Sequence, residues 1–568
     1  MAVGTAAGGI TGRAAVLAGE NELNGFGMCF AFDAFSRQAI CARLTKKNAW
    51  LVALLTCVFL SPALAVADSE SSNFEQRLAG VVDKSLAAFN TPGMAVGILH
   101  QDKIIYLAGH GYRDLEHKLP VTPDTYFLLA SASKAFTASA MAVASNRGDL
   151  HWQDKVTAYL PSFALASEHA TENFTLTDLL THRSGLGSGA GDIMLWPAPS
   201  KFSRREIIHN LRFLTPQSAF RQRYAYNNLM YITAAAVVDA AGEQSWDQLV
   251  QEEIFNPLKM QCFVGRLPDT HNDNVAQSYG FTERRGTYPI PRNAINTDAP
   301  VWTPAGGIVC NARDMLNWLA MWLREGKAAD GTQVLTTDTV KHMTTPVTPL
   351  PVSGTDKAWF DTRHAGYALG WRVADQFGEQ VISHTGTVSG YQAFVAFVPN
   401  HQLGVVLLNN GSDYGSRGAV MQTILQHFLA PEQAPRDWIA AYQEFQRNWQ
   451  QRTSERNTPP QGSGTVTLPL GAYAGHYADT WFGKVSVIKD EDGLYLHSHK
   501  MPSLTGRLKP FNEHSFKVLW DNPDVMEPVL VTFEQSSDDQ ISQFTLAPFT
   551  VRLQRNHPFR DMTFRRTP

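Results

Sequence analysis

Ser131 stands three residues before Lys134 in the run Ala130-Ser131-Ala132-Ser133-Lys134. On a helix, positions i and i+3 share a face, so the serine hydroxyl would lie beside the lysine amine. The partial positive charge at a helix N-terminus favours an alkoxide on Ser131 and disfavours the protonated form of Lys134. A serine so placed gains a base without histidine, and the chemistry within reach is nucleophilic attack on a carbonyl. Ser-x-x-Lys recurs at Ser486 and Lys489, but inside the alternating segment Lys484 to Lys489. That segment reads as a strand, where i and i+3 project to opposite faces. Only the first pair can bring hydroxyl and amine together.

Two further motifs supply what such a serine needs. In Tyr226-Asn227-Asn228, a tyrosine beside an ammonium group ionises more readily, and its phenolate can take the serine proton or return one to a leaving group. Asn228 can donate its amide hydrogens to a substrate carbonyl. In His384-Thr385-Gly386-Thr387, at the end of an apolar strand, the bare backbone of Gly386 leaves room for a substrate chain. The Thr387 and Ser131 amides can then face an oxyanion. Each motif alone also fits an ordinary structural role: a helix-cap serine, a core tyrosine, a satisfied histidine. His384 is a candidate only through its place in the set. There is no His-Glu-x-x-His pattern and no clustered Cys/His ligand set, so neither metal nor cofactor is expected.

The surrounding elements have to carry these residues into one groove. The alanine-rich run Ser131 to Arg147 lacks proline and glycine and stops at Gly148, which predicts a buried helix. Phe74 to Phe89 is amphipathic, and Met94–Leu99 and Lys103–Ala108 form a hairpin around His100-Gln101-Asp102. Between about 150 and 330 the chain is mostly helical, with capping patterns at Thr175/Asp178, Ser245/Gln248 and Asn311/Asp314. Strands return at Trp371–Ala374, Gln380–Ser383, Tyr391–Val398 and Leu403–Leu408, and a helix Arg417–Leu429 closes the region. Strands at both ends with helices between them imply an α+β fold: one antiparallel sheet flanked by helices beside a helical subdomain, with a cleft where they meet. Beyond a polar helix, Trp438–Arg452, and a Pro/Gly/Ser linker, Thr453–Val466, short alternating runs suggest a small all-β barrel.

The 568 residues contain 48 Lys plus Arg and 52 Asp plus Glu, a net charge of −4. No basic run supports nucleic-acid binding. Arg43, Lys46 and Lys47, the apolar run Ala49–Leu60 and the exit Pro62-Ala63-Leu64-Ala65-Val66-Ala67 read as an export signal cleaved after Ala65 or Ala67. The run is too short for a permanent span, so a periplasmic or secreted protein is expected. The divisions are residues 1–43, an N-terminal extension; 44–67, the signal; 74–430, the main domain; 431–466, helix and linker; and 467–568, the C-terminal domain. Cys29, Cys41 and Cys57 would be lost with the leader. Cys262 and Cys310 sit in apolar contexts and are expected as two buried thiols rather than a disulfide.

The order Ser131-x-x-Lys134, Tyr226-x-Asn228, His384-Thr385-Gly386 resembles the three motifs of the penicillin-recognising serine hydrolases. The likeness is greatest to the group of class C β-lactamases, D-amino-acid peptidases and related esterases. Phe127-Leu128-Leu129-Ala130, Leu179 to Leu186, Pro304-Ala305-Gly306-Gly307 and Tyr367-Ala368-Leu369-Gly370-Trp371 support it over about residues 75–430. Tyr473-Ala474-Gly475-His476-Tyr477 is similar to an appended lipocalin-like domain. The resemblance implies an acyl-enzyme cycle in which Ser131 attacks, Lys134 and Tyr226 move its proton, and Asn228 orients the substrate. The Ser131 and Thr387 amides hold the oxyanion, and water releases the acyl group. It also implies a small peptide, ester or lactam as substrate, leaves a homo-oligomer open, and keeps a β-lactamase proper and a non-catalytic sensor or scaffold as alternatives. Class C β-lactamases carry lysine where this chain has His384. A fixed cation for a substrate carboxylate is therefore missing, which points toward peptidase or esterase activity. If His384 meets a carboxylate, binding should tighten as pH drops through about 6.5.

Overall fold

The computed structural model describes residues 61–265, 273–292, 300–454, 459–524, 526–537, 539–549 and 557–568. The chain divides into a unit Met1–Ser69 and a unit Glu70–Pro568. The N-terminal extension, the apolar core of the predicted export signal and Cys29, Cys41 and Cys57 lie outside the described residues.

A nine-stranded antiparallel sheet organises the larger unit. Its strands are β1 (Gly93–His100), β2 (Lys103–Asp114) and β3 (Leu119–Pro120), then, after some 230 residues, β9 (Thr348–Pro349), β10 (Ala365–Tyr367), β11 (Arg372–Gln376), β12 (Glu379–Val388), β13 (Tyr391–Val398) and β14 (Leu403–Asn409). Their order is β3-β2-β1-β14-β13-β12-β11-β10-β9. The two ends of the region join where β1 lies against β14, from Met94 opposite Asn409 to His100 opposite Leu403.

The central strands are apolar throughout because both faces are covered. Met94, Val96 and Ile98 pack on helices α1 (Ser61–Ala88) and α5 (Tyr414–Leu429), through Leu78, Val82, Val420 and Ile424. The alternate residues Ala95 and Leu99 face the helical side. There α2 (Ser133–Arg147), α3 (Leu229–Ala241) and α4 (Ala312–Leu323) form the subdomain. Phe136 of α2 stacks on Trp318 of α4 at 4.1 Å between ring centroids. The capping boxes at Thr175/Asp178 and Ser245/Gln248 both form, and the Asn311 side chain accepts from the Asp314 amide to start α4.

A second, three-stranded sheet sits behind the Ser131 turn, with β4 (Phe127–Leu128) and β5 (Phe263–Val264) on either side of β8 (Ile308–Cys310), and β6 (Tyr279–Thr282) pairs with β7 (Gly286–Pro289) in a separate hairpin. The register of the three-stranded sheet corrects the expectation of two free thiols. Phe263 opposes Val309 and Val264 opposes Ile308, so the preceding Cys262 meets Cys310, and the two are joined as a disulfide across a separation of 48 residues. Both are buried, as their apolar neighbours required. What sequence spacing hid is the non-local strand pairing that brings them face to face. Asp314 packs beside them, but its carboxylate accepts from the Gln261 amide and the Asn311 side chain.

After α6 (Trp438–Ser454) the chain forms a closed barrel of eight antiparallel strands, β15 (Gly475–Asp479), β16 (Gly483–Asp490), β17 (Gly493–Ser498), β18 (Thr505–Asn512), β19 (Ser515–Trp520), β20 (Val529–Gln535), β21 (Ile541–Pro548) and β22 (Phe564–Thr567). Tyr477, Phe516, Phe533, Phe544 and Phe564 pack against one another inside it. Ser486 and Lys489 lie on β16, as predicted for the second Ser-x-x-Lys. The barrel docks on the main domain through Ala198, Glu206 and Asn210. Trp481 O accepts from Asn210 Nδ2 at 2.8 Å, Lys500 pairs with Glu206 at 2.5 Å, and Ser503 bonds Ala198 O at 2.7 Å. Among the described residues no helix is long and apolar enough to cross a membrane.

Candidate active site

A single turn of 3₁₀ helix, Ala130–Ala132, precedes α2 and carries Ser131 at its middle. Ala130 adopts a left-handed backbone, φ 48°, which only a rigid surrounding sustains. That surrounding is β8 and the turn before it. Leu129 N–H donates to Ile308 O at 2.8 Å, the Ile308 amide to Ser133 Oγ at 3.0 Å, and Thr137 Oγ1 to Pro304 O at 2.6 Å. The nucleophile candidate sits on a clamped corner.

Lys134 lies fully buried beneath it. Its Nζ donates to Ser131 Oγ at 3.2 Å, to Asn228 Oδ1 at 2.7 Å and to Ala305 O at 2.6 Å. Burial lowers its pKa to about 7, with Arg372 acting in the same direction and Asp192 against it. The three acceptors match the three hydrogens of an ammonium. On losing one, the neutral amine keeps two hydrogens for the two carbonyl oxygens, which cannot donate. Its lone pair is then left for the Ser131 hydroxyl. The helix spacing and this environment together make Lys134 a base near neutrality.

Tyr226 closes the other side, its ring 4.8 Å from Lys134 Nζ. Its hydroxyl is buried near Ser131 but makes no well-formed hydrogen bond. The expected phenolate is not supported. Burial pushes the phenol well above its ordinary pKa, and this outweighs the neighbouring charges. Tyr226 therefore remains a neutral O–H group that can donate. Asn228, just ahead of α3, spends its carbonyl on Lys134 and one amide hydrogen on Asp192 Oδ2 at 2.8 Å. Its predicted gift to a substrate is thereby limited to the second amide hydrogen.

Gly386 and His384 have different surroundings from those expected. A Cβ on Gly386 would lie 1.9 Å from Leu129 O and 3.1 Å from Ala130 Cβ. The space is taken by the turn that carries Ser131, not by a substrate. His384, on the same face of β12, is buried; its Nδ1 lies 2.7 Å from Thr385 O and its Nε2 2.9 Å from Tyr367 Oη. A carbonyl can only accept, so Nδ1 carries the proton and the tyrosine donates to Nε2. Burial, with Arg372 and Lys134 nearby, holds the ring neutral far below pH 6.5. His384 is thus part of the packing beneath the site, and substrate binding should not tighten through pH 6.5 on its account.

Thr387 does reach the cleft. Ser389 and Gly390, both at positive φ (44° and 81°), make a two-residue turn between Val388 and Tyr391. The pair closing such a turn is hydrogen-bonded. Alternate residues, Gly386 and His384, bond likewise to β13, and the amides of Thr387 and Thr385 turn to the opposite edge. On that edge β11 extends only as far as Ser383. The Thr387 N–H therefore points past the end of β11, and the Ser131 N–H belongs to a helix start, where amides have no partner within the helix.

A cleft of about 450 Å³ opens over these groups, lined by Ser131, Asp192, Trp196, Tyr226, Asn228, Trp302 and Thr387. Asp192, which follows a glycine-rich loop and matches no motif, escaped the sequence reading. Its Oδ1 is buried without a partner, and burial raises its pKa to about 6. Ala305, the other anchor of Lys134, was legible only as part of Pro304-Ala305-Gly306-Gly307. Among the described residues lining the cleft, Asp192 is the one with a formal charge.

Residues 78–427 match the Beta-lactamase family, and residues 459–566 match a domain of unknown function, DUF3471. The chain is similar to Unguisins hydrolase ungD' of Aspergillus campestris, 25% identical over 456 residues that cover 76% of this chain and 81% of that one. It is also similar to Protein flp of Staphylococcus aureus strain MW2, 22% identical over 61% of this chain and 65% of that one. Its fold is shared with an octameric penicillin-binding protein homologue from Pyrococcus abyssi, with TM-score 0.55, 20% identity, and 86% and 99% of the two chains covered. A class C beta lactamase from Rhodobacter sphaeroides matches with TM-score 0.50 and 24% identity over 62% of this chain and 99% of that one. With more than half of its length matched, the chain belongs to the β-lactamase family of serine hydrolases and carries a C-terminal DUF3471 domain folded as an eight-stranded barrel.

Proposed function

We propose that this protein is an exported serine hydrolase that cleaves an amide or ester through an acyl-enzyme on Ser131, as a peptidase, carboxypeptidase or esterase. The observation that carries the reading is the Lys134 amine, 3.2 Å from Ser131 Oγ and titrating near pH 7. Neutral Lys134 takes the Ser131 proton as Oγ attacks the carbonyl. The carbonyl oxygen becomes an oxyanion between the Ser131 and Thr387 amides, and Tyr226 passes its proton to the leaving group as it takes one from Lys134, so that the phenol stays neutral. Water then enters by the reverse route and frees the acyl group. Kinship with a protein named as a hydrolase of unguisins supports hydrolysis in general. The cleft shows Trp196 and Trp302 walls and, among its described lining, no lysine, arginine or histidine. A substrate that depends on a carboxylate anchor, as a β-lactam does, fits this cleft less well than a neutral or amine-bearing one.

Purified protein should be labelled covalently by a fluorophosphonate or a fluorescent penicillin, and Ser131→Ala should abolish the label. Failure of every acylating probe to label the folded protein, or labelling that persists in Ser131→Ala, would remove the proposal and favour a non-catalytic scaffold.

A further inference from the structure

Arg417, four residues into α5, is almost fully buried, and the ionisable groups facing it are two tyrosines, Tyr414 and Tyr442, rather than a carboxylate. Its Nη1, with two hydrogens, donates to Gly386 O at 2.8 Å and lies 3.2 Å from both Ala393 O and Thr387 Oγ1, which share the second, while the Thr387 hydroxyl itself donates to Gly386 O at 2.7 Å. Gly386 and Ala393 oppose each other in the register of β12 and β13, so one guanidinium grips both strands of the hairpin.

The Gly386 carbonyl and the Thr387 N–H are two ends of one peptide unit. That unit is planar and trans, so a group holding the oxygen from behind also aims the N–H on the opposite side. A cation on the oxygen draws electron density through the amide and strengthens the N–H as a donor. We propose that Arg417 is a positioning residue that pins and polarises the Gly386–Thr387 peptide, so that the Thr387 N–H meets the developing oxyanion. The inference rests on the acyl-enzyme reading above. Arginine suits the task because its long side chain brings Nη1 to the Gly386 carbonyl and the guanidinium stays charged when buried.

The test uses the full chain, a p-nitrophenyl ester and a phenylboronic acid, which forms a tetrahedral anion on a nucleophilic serine. Arg417→Gln is expected to lower kcat by about 30-fold, less than outright loss of an oxyanion donor, to leave KM within about twofold, and to weaken boronate inhibition by a similar factor of about 30. A purely structural role would lower the melting temperature and the amount of active enzyme without this matched loss. Unchanged kcat and boronate affinity in a folded variant would overturn the inference alone. A wild-type protein that neither turns over the ester nor binds boronate would overturn the acyl-enzyme reading and the inference with it. Should Arg417→Gln fail to fold, Arg417→Lys decides by the same pair of measurements, since the lysine Nζ ends one bond short of the place Nη1 holds against the Gly386 carbonyl.

Discussion

Lys134→Met is expected to lower kcat/KM by about 10² to 10⁴, the span general-base catalysis supplies, while the protein stays folded. Methionine fills much of the volume but offers no lone pair to the Ser131 hydroxyl, which then attacks as a neutral alcohol. In the wild type the same chemistry should appear as an acid limb. Activity rises with pH as Lys134 loses its proton through about 7 and falls away below it. The limb should vanish from the residual activity of the variant. A pH-independent wild-type rate between 5.5 and 8.5 would contradict Lys134 as the base.

Stability carries a second signature of the same residue. Unfolded lysine holds its proton up to about 10.5, whereas the folded amine releases it near 7, so between these values folding expels a proton. The unfolded state then binds more protons, and wild-type stability climbs with pH across that window. Urea unfolding of wild type against Lys134→Met at pH 7 and pH 10 should show the wild type gaining relative to the variant at the higher pH.

Gly386→Ala is expected to cost about 10²-fold in kcat or more, the scale of a 1 Å misplacement at a reacting centre, with a stability loss of about 1–3 kcal/mol from overpacking. The added methyl would meet the Leu129 carbonyl at 1.9 Å, and both contacting groups belong to the turn that carries Ser131. Neither can yield without moving the nucleophile, so β12 must retreat and take the Thr387 amide with it. Steady-state kinetics with a chromogenic ester, together with thermal unfolding, read both effects. Wild-type kcat in a folded Gly386→Ala protein would show that β12 does not set the reacting geometry.

Much of this protein follows from local pattern. Ser131 and Lys134 are neighbours because residues three apart share a face across a 3₁₀ turn that runs into a helix, and no long-range information is needed to place one beside the other. The apolar runs of β13 and β14, the capping box at Thr175 and Asp178, and the alternation of the barrel strands are likewise written within a few residues, because they depend on backbone hydrogen bonds and on which face is dry. Asp192, Ala305 and Arg417 are different. Each acts through a partner far along the chain, at Asn228, Lys134 and Gly386, and nothing in its own neighbourhood announces the role.

The amino-acid order by itself determined the α+β class, the paired strands at both ends of the main domain, the appended β domain and the three motifs, since helix period, strand alternation and turn chemistry are local properties. Only the tertiary structure decided the protonation states. It made Lys134 a near-neutral base, kept Tyr226 a phenol and His384 a buried neutral ring, and joined Cys262 to Cys310. Those outcomes depend on desolvation and on distances between remote segments, and both come into being only when the chain closes around them.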